Sequence, residues 1–286
     1  MIILAGTPIG NLKDASVRLV ETLEACELIA AEDTRVAIKL LRALNLENRP
    51  RLVALHDHNE REKAAELVEF ARTADLVVMS DAGMPTVSDP GFHLVAAAVA
   101  AGVEVTAIPG PSAVLMALAV SGLPTDRFTF EGFLPRKQGE RLQVLKGLSR
   151  EARTMVFFES PNRIAASLAD IVSALGADRR VAVARELTKL YEQVKRGTAS
   201  EVLEWAEAGV KGEIVIVVAG AQPLEVDLPT GVAQVLELVA DGTRLKDASA
   251  AIAEATGLSR RDLYEAALEQ RTGRTPANEQ AQLPLL

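Results

Sequence analysis

Four short segments of the sequence concentrate the glycine, proline, hydroxyl and acidic residues that bind ligands from loops. Their sequences are GTPIGNL at 6–12, AEDTR at 31–35, SDAGMPTVSDPG at 80–91 and PGPSA at 109–113. The third is longer than a strand-to-helix turn requires, and long loops on a rigid scaffold usually bind something. The fourth opens a helix with exposed amides, which suits an anionic group, although an ordinary cap explains it nearly as well.

Known binding motifs, present or absent, limit which ligands these segments could bind. The first loop lacks the GxGxxG pattern and GxxxxGK[ST] occurs nowhere, so we expect neither a nicotinamide or flavin site nor a P-loop. Glu32 and Asp33 stand at a predicted helix start, where the helix dipole alone favours acids. His56 and His58 have a ligand-like spacing, but the remaining histidine and the single cysteine lie in distant segments. We therefore expect no metal site, and favour a proton-handling role for either histidine.

The stretch 127–163 is cationic within an acidic chain. It holds eight basic and four acidic residues, whereas the 286-residue chain has a net charge of −8. It also holds five of the seven phenylalanines. A cationic segment with interleaved aromatic residues can grip a phosphate backbone and stack bases. The same pattern fits phenylalanines in a strand core and charges on a solvated helix face.

The elements that must position the four segments alternate in type, which predicts βα units on a mostly parallel sheet. The predicted strands are 2–5, 27–31, 51–55, 75–80 and 103–108. The predicted helices are 17–25, 35–44 and 60–71, capped by Ser16, Thr34 and Asn59, with a small-residue helix at 112–120. Ligands of open α/β sheets bind beyond the carboxyl ends of the strands, where these segments fall.

The second half mixes strands and helices less regularly, so we expect a partly antiparallel sheet. Its predicted strands are 127–132, 154–159, 180–186 and 213–219, and its predicted helices are 140–148, 163–175 and 200–208. A proline-containing segment then precedes helices at 232–240, 245–255 and 259–270. The last two resemble a helix-turn-helix with Gly257 in the turn and Ser259 as a cap; a small helical cap without nucleic-acid contact is the alternative.

We therefore predict two α/β domains plus a small C-terminal all-α region. The divisions are an N-terminal α/β domain at 1–115, a second α/β domain at 116–221, a linker at 222–230, a helical region at 231–271 and a disordered tail at 272–286. With 49% hydrophobic and 24% charged residues, the chain excludes the disordered and fibrous classes. No window reaches the about 18 uninterrupted apolar residues of a membrane span, and no secretory signal opens the sequence. We expect a soluble, cytoplasmic protein that does not bind membranes.

Taken in order, the motifs resemble the ribosomal RNA small subunit methyltransferase I family, 16S rRNA cytidine 2'-O-methyltransferases of the tetrapyrrole methylase superfamily. The matching stretches cover residues 1 to about 220: GTPIGNLKD, AAEDTR, HDHNE, SDAGMPTVSDPG, IPGPSA, SGLPTDRFTFEGFLPRK, FFESPNR, REL followed by TK, and GEIVIVVAG. The C-terminal helices also look like that family's appended region. One departure is Asn162, where the family often has histidine.

The resemblance implies an S-adenosylmethionine-dependent enzyme whose two α/β domains flank a deep cofactor cleft. The implied cofactor contacts are Ser80, Asp81, Ala82, Gly83, Met84, Pro85, Ser88, Pro109, Gly110, Ser112, Ala113, Glu159, Ser160, Arg185, Glu186, Ala219 and Gly220. The resemblance also implies that the first loop faces the substrate, with Thr7, Pro8, Gly10 and Asn11 as contacts. We expect Arg35, Arg136, Lys137 and Arg163 to hold phosphates, since arginine offers a planar fork and lysine a point charge. The implied partner is 16S rRNA or the small ribosomal subunit, bound by a homodimer.

A ribose 2'-hydroxyl must lose its proton during or after attack, so the implied 2'-O-methylation needs a nearby base. The candidates are Glu32, Asp33, His56 and His58, because their loops are expected to converge on the substrate side of the cleft. Two other functions stay open. One is methylation of a small tetrapyrrole-like acceptor, which would require neither the cationic stretch nor the C-terminal helices. The other is a non-catalytic RNA-binding or assembly module.

Overall fold

The computed structural model of the protein describes residues 1–56, 58–221 and 226–272. The chain forms two compact units, one ending at Gly220 and the other beginning at Ala221. The first unit holds two five-stranded sheets. In its described residues the second unit is helical.

The first sheet is parallel throughout and covered by helices on both faces. Its strands are β1 (Ile2–Ala5), β2 (Leu28–Ala31), β3 (Arg51–Ala54), β4 (Leu76–Met79) and β5 (Val105–Ile108), and its helices are α1 (Val17–Ala25), α2 (Thr34–Ala43), α3 (Glu60–Ala71) and α4 (Phe92–Ala100). The strand order is β3-β2-β4-β1-β5. Every residue of β2 and β4 is buried, as expected for parallel strands packed on both faces. All five predicted strands are confirmed within two residues at each end. Helix α4 was not predicted, because FHLVAAAVA has no polar face that would mark it as a surface helix.

The second sheet has the order β6-β7-β10-β8-β9 and is partly antiparallel, which confirms the expectation from its irregular rhythm. Its strands are β6 (Phe128–Phe133), β7 (Thr154–Glu159), β8 (Arg180–Arg185), β9 (Gln193–Thr198) and β10 (Ile214–Val218), and its helices are α5 (Ala113–Ser121), α6 (Gln138–Gly147), α7 (Ile164–Leu175) and α8 (Ala199–Glu207). Strand β9 was missed because an edge strand can be polar, and QVKRGT carries two cations.

Helix α5 joins the two sheets and packs on the second. Val114, Ala117 and Leu118 share a buried cluster with Val156 of β7 and Val217 of β10. A division after residue 115 therefore cuts a continuous helix. The backbone reason is that Ser112 caps α5 and no helix-breaking residue follows until Gly122, which ends it in a left-handed conformation with φ 73°.

The C-terminal unit contains α9 (Leu228–Ala240), α10 (Leu245–Thr256) and α11 (Arg260–Thr272) around one apolar cluster. Asp227 accepts the Thr230 backbone N–H at 2.9 Å, so α9 begins inside the segment expected to be a linker. As predicted, Gly257 occupies the turn with φ 74°, and Ser259 accepts the Asp262 N–H at 3.3 Å. Residue 272 belongs to α11, and the rest of the predicted tail lies outside the described residues.

The described residues contain no helix long and apolar enough to span a membrane. They also contain no group of three or more histidine, cysteine or acidic side chains able to hold a metal ion.

Candidate active site

The loops that follow β1, β4 and β5 meet at the carboxyl edge of the first sheet. Thr7 and Gly83 form an isolated antiparallel bridge with N–H···O distances of 2.9 and 3.2 Å. Gly6 and Gly110 approach so closely that a Cβ at Gly110 would lie 2.6 Å from the carbonyl carbon and oxygen of Gly6. Only glycine permits this approach, so Gly6 and Gly110 are explained by their mutual contact.

The loop after β2 is joined to the loop after β4 by hydrogen bonds between acidic residues. The Asp33 backbone N–H donates to Asp81 Oδ1 at 3.1 Å, and the Asp81 backbone N–H donates to Glu32 Oε2 at 3.2 Å. Arg35 donates to both carboxylate oxygens of Asp33, at 2.6 Å from Nη2. The structure therefore brings all four segments to one edge of the sheet.

The two aspartates have pKa values shifted in opposite directions. Hydrogen bonding from the Arg35 side chain lowers the pKa of Asp33 to about 2. Desolvation, together with the negative charge of Asp33, raises the pKa of Asp81. A general base works best with a pKa near the operating pH, so Asp33 fits that role poorly. Asp33 is instead the N-cap of α2, accepting the Arg35 backbone N–H at 2.8 Å, and the predicted cap Thr34 is the first helical residue.

The two candidate histidines lie at the same edge, after β3. Ala54 of β3 pairs with Ala31 of β2, so the two strands end side by side. Both imidazoles are exposed, and their ring centroids are 6.1 Å apart. The prediction that the Asn59 side chain caps α3 is wrong, since it makes no capping hydrogen bond to that helix. The Asn59 side chain accepts the His56 N–H at 2.9 Å and donates to the Ala54 carbonyl at 3.1 Å, because the tight turn after β3 leaves these groups without strand partners.

Glu60, which the sequence did not single out, anchors the end of the 80–91 loop. Its side chain is buried, and Oε1 accepts the Leu94 N–H at 2.9 Å in the first turn of α4, directly after that loop. An acid at the start of a helix is so common that the sequence carried no signal for this long-range contact.

The 80–91 loop holds non-glycine residues in unfavourable backbone conformations. Thr86 has φ 75° and Ser88 has φ 64°. Such strain persists only where the surroundings over-determine it, and it clusters at ligand sites. Ser80 and Pro85 are buried within the loop, whereas Asp81, Ala82 and Ser88 are exposed.

The first loop also contacts one end of the second sheet, and we call the space between this end and the four loops the cleft. Glu159 of β7 and Arg185 of β8 both pair with Ile214 of β10, so they lie in one row. The first loop reaches this end, since a Cβ at Gly10 would lie 2.5 Å from Lys189 Cγ. Asn11, next to it, accepts the Lys13 N–H at 3.1 Å and caps a short 3-10 helix.

Lys189 belongs to a charged cluster at this end of the second sheet. It lies 3.0 Å from both Glu186 Oε1 and Glu213 Oε2. The Glu213 backbone N–H donates to Glu186 at 2.9 Å, and this bond, aided by Lys189, lowers the pKa of Glu186. Among the described residues, the buried Thr188 hydroxyl has no hydrogen-bond partner, and its backbone has φ 68°. Thr188 and Lys189 were not among the predicted site residues. Their position directly after the REL motif was the signal in the sequence that could have identified them.

The implied contacts Ala219 and Gly220 do not join the Glu159–Arg185 row. Strand β10 runs antiparallel to β7 and β8, so its end at Val218 pairs with Met155 and Val181 at the other end of the sheet. A Cβ at Gly220 would collide with the Ala152 carbonyl, so this glycine is explained by a backbone contact. Assigning every strand end to one edge is valid only for parallel strands.

The predicted phosphate ligands differ in accessibility. Arg136, Lys137 and Arg35 are exposed, whereas Arg163 is only 24% exposed at its side chain. Arg163 Nη2 donates to the Leu134 carbonyl at 2.6 Å and lies 3.3 Å from Glu159 Oε2. The structure therefore uses Arg163 to hold the turn that carries Arg136, and it fits poorly as a phosphate ligand. Glu159, in contrast, is buried, and it also accepts hydrogen bonds from the Ser160 backbone N–H and the Ser167 hydroxyl, at 2.8 and 2.5 Å.

A cavity of about 620 Å³ lies at the amino ends of the first sheet's strands, away from the four loops. It is lined by residues including Glu21, Cys26 and Asp75. Burial raises the pKa of the Cys26 thiol to about 11, so the thiolate that could react is scarce at neutral pH. Parallel α/β sheets bind ligands at the carboxyl edge, and we take the cleft there as the candidate active site.

Comparison with known proteins agrees with this fold. The family model of Tetrapyrrole (Corrin/Porphyrin) Methylases matches residues 1–203, and the model of the RsmI C-terminal HTH domain matches residues 226–271. A crystal structure of diphthine synthase superposes with a TM-score of 0.59 at 19% identity, over 77% of this chain and 90% of that chain. A uroporphyrin-III C-methyl transferase from Thermus thermophilus, complexed with S-adenyl homocysteine, superposes with a TM-score of 0.52 at 20% identity, over 76% of this chain and 96% of that chain. The fold is that of a tetrapyrrole methylase.

Curated relatives narrow the class further. A protein of Mycobacterium tuberculosis (strain CDC 1551 / Oshkosh) named ribosomal RNA small subunit methyltransferase I is 48% identical over 272 residues, which is 94% of this chain and 95% of that protein. A protein of the same name from Escherichia coli O157:H7 is 45% identical, over 92% of this chain and 93% of that protein. The chain belongs to the ribosomal RNA small subunit methyltransferase I family of methyltransferases.

Proposed function

We propose that this protein transfers the methyl group of S-adenosylmethionine to a cytidine 2'-hydroxyl of 16S rRNA in the small ribosomal subunit. The main support is that the four loops converge opposite the Glu159–Arg185 row. The chain also has relatives that are named as rRNA methyltransferases. Homodimerisation and a cytoplasmic location accompany the proposal as predictions.

The cleft fits the proposed cofactor. The Gly6–Gly110 contact and the Thr7–Gly83 bridge hold the first, third and fourth loops together at the carboxyl edge of the first sheet, where open α/β sheets bind nucleotide-like ligands. The buried Thr188 hydroxyl, which has no hydrogen-bond partner in the described part of the chain, offers a polar partner at the opposing wall. Ser80 to Ser88 and Pro109 to Ala113 would hold the cofactor, which supplies an electrophilic methyl group and a neutral leaving sulfide.

The residues of this chain would act mainly by positioning, which is worth up to about 7–11 kcal/mol for aligned reactants. The first loop and Arg35, Arg136 and Lys137 would orient the RNA, while the cleft walls exclude water. His56, His58 and Glu32 remain the candidates for accepting the 2'-hydroxyl proton, since imidazoles are well suited to take protons near neutral pH.

We expect Asp33→Asn to retain most of the turnover. Asparagine caps helices as well as aspartate does but cannot act as a base. Loss of a general base would lower kcat by about 100-fold or more. The measurement is kcat at saturating cofactor and RNA, with Asp33→Ala, which lacks both cap and carboxylate, as the companion variant. A 100-fold loss in a folded Asp33→Asn protein would contradict this expectation.

The proposed function is tested with methyl-labelled S-adenosylmethionine and three acceptors: small subunits lacking the modification, naked rRNA from them, and a tetrapyrrole precursor. Alkali cuts RNA only where a 2'-hydroxyl is free, so label in an alkali-resistant dinucleotide would establish 2'-O-methylation. Label in the tetrapyrrole alone would contradict the proposal. Cofactor binding with no labelled acceptor would favour a non-catalytic RNA-binding module.

A further inference from the structure

A bulge in β6 turns an exposed phenylalanine toward the cleft side of the second sheet. Phe130 pairs with Val156 and Phe133 with Phe158, with a register shift between Phe130 and Gly132. Residues three apart on a regular strand face opposite sides, and one extra residue returns them to the same side. Phe130 and Phe158 pack in the cluster formed with α5, so Phe133 lies on that side too.

Phe133 packs against one neighbouring ring but remains largely exposed to solvent. Its side chain is 59% exposed, and its ring meets the Phe158 ring edge-on with centroids 5.5 Å apart. The cofactor loop is adjacent, since a Cβ at Gly132 would lie 4.0 Å from Ser88 Oγ. A large aromatic surface therefore stands at the boundary between the candidate cofactor loop and solvent.

The turn that follows Phe133 is held rigidly from beneath. Arg141 Nη1 donates to the Pro135 and Arg136 carbonyls at 3.2 and 3.1 Å, and Arg163 donates to the Leu134 carbonyl at 2.6 Å. With these carbonyls bound, the turn presents the exposed Arg136 and Lys137 beside Phe133. The buried Arg141 and the partly buried Arg163 thus hold the backbone of the turn. Arg136 and Lys137 are exposed, and Lys137 Nζ lies 3.1 Å from Glu140 Oε1.

We propose that Phe133 is a base-stacking residue of the RNA site, with Arg136 and Lys137 contacting phosphates next to the stacked nucleotide. An aromatic side chain flanked by cations matches the chemistry of single-stranded RNA, because bases stack on the ring and phosphates attract the cations. The inference rests on the proposed function, and it names the substrate contact made by the second sheet.

The test compares Phe133→Leu, Phe133→Trp and the control Phe128→Leu. Phe128 lies on the same strand and the same side, at the end that pairs with Thr154, far from the Glu159 row. RNA affinity is measured by filter retention without cofactor, and KM by methylation of small subunits at saturating S-adenosylmethionine. We expect Phe133→Leu to weaken RNA affinity and raise KM by about 5- to 100-fold, the range for one lost base stack. Phe133→Trp and Phe128→Leu are expected to stay near the wild type, and cofactor affinity to stay unchanged in all three.

Wild-type RNA affinity in a folded Phe133→Leu protein would overturn the inference. So would an equal loss in Phe128→Leu, which would indicate general damage to β6. A changed sedimentation coefficient with unchanged RNA affinity would place the ring in a protein interface instead. Because filter retention needs no methyl transfer, the stacking result stands apart from the proposed function, which fails if the wild type places no label in an alkali-resistant dinucleotide.

Discussion

Replacement of Gly110 by alanine is expected to lower kcat/KM by about 100-fold or more. The added Cβ would lie 2.6 Å from the Gly6 carbonyl group, and neither backbone segment can move without separating the first and fourth loops. A displacement of about 1 Å in a positioning element is enough for a loss of this size. The measurements are kcat/KM, which is expected to fall, and the Kd for S-adenosylmethionine, which is expected to rise.

The matched control is Gly147→Ala at the end of α6, where a new Cβ meets nothing within 4 Å. Alanine is favoured over glycine in a helix by about 0.5–1 kcal/mol, so this variant should be as stable and active as the wild type. Wild-type cofactor affinity in Gly110→Ala would show that the contact of the two loops does not shape the cofactor site.

Arg141→Met is expected to lower the free energy of unfolding by about 3–5 kcal/mol. Arg141 and Asp170 are 5% and 4% exposed at their side chains, with Nη2 2.6 Å from Oδ2. Methionine fills a similar volume but leaves the Asp170 carboxylate buried without its cation. Urea unfolding followed by circular dichroism measures the change.

Two further variants separate the ion pair from simple packing. The double variant Arg141→Met/Asp170→Leu should lose less than the sum of the single losses, because it leaves no unpaired buried charge. Glu69→Gln, which breaks an exposed pair with Arg72, should change stability by less than about 1 kcal/mol. Additive losses in the double variant would mean that the pair is not coupled.

Local patterns determined much of the fold. Parallel strands buried on both faces must be continuous apolar runs, so β2 and β4 were visible in the sequence. The loops after β1, β2, β4 and β5 were visible because turns that bind ligands need glycine, proline and short polar residues. Strand β9 and helix α4 were not predictable from local patterns, because β9 is polar and α4 has no polar face. Their positions depend on neighbours that are distant in the chain.

The charge state and hydrogen bonds of individual candidate residues are visible only in the three-dimensional structure. Arg35 donates to both carboxylate oxygens of Asp33 and lowers the pKa of Asp33 to about 2, so Asp33 fits the role of a base poorly. Arg163 was a reasonable phosphate ligand until its guanidinium was seen to bind the Leu134 carbonyl. A residue type states what a side chain can do, but only its neighbours determine its charge and its free hydrogen-bonding groups.

The sequence by itself determined the family, the two α/β sheets and the loops that carry the chemistry, because those properties reside in residue type and spacing. Only the tertiary structure decided which end of the second sheet faces these loops, since the direction of β10 separates Ala219 from Glu159. It also decided that the bulge in β6 turns Phe133 to the cleft side. Strand direction and register are set by pairing between distant segments, and pairing is a property of the folded chain.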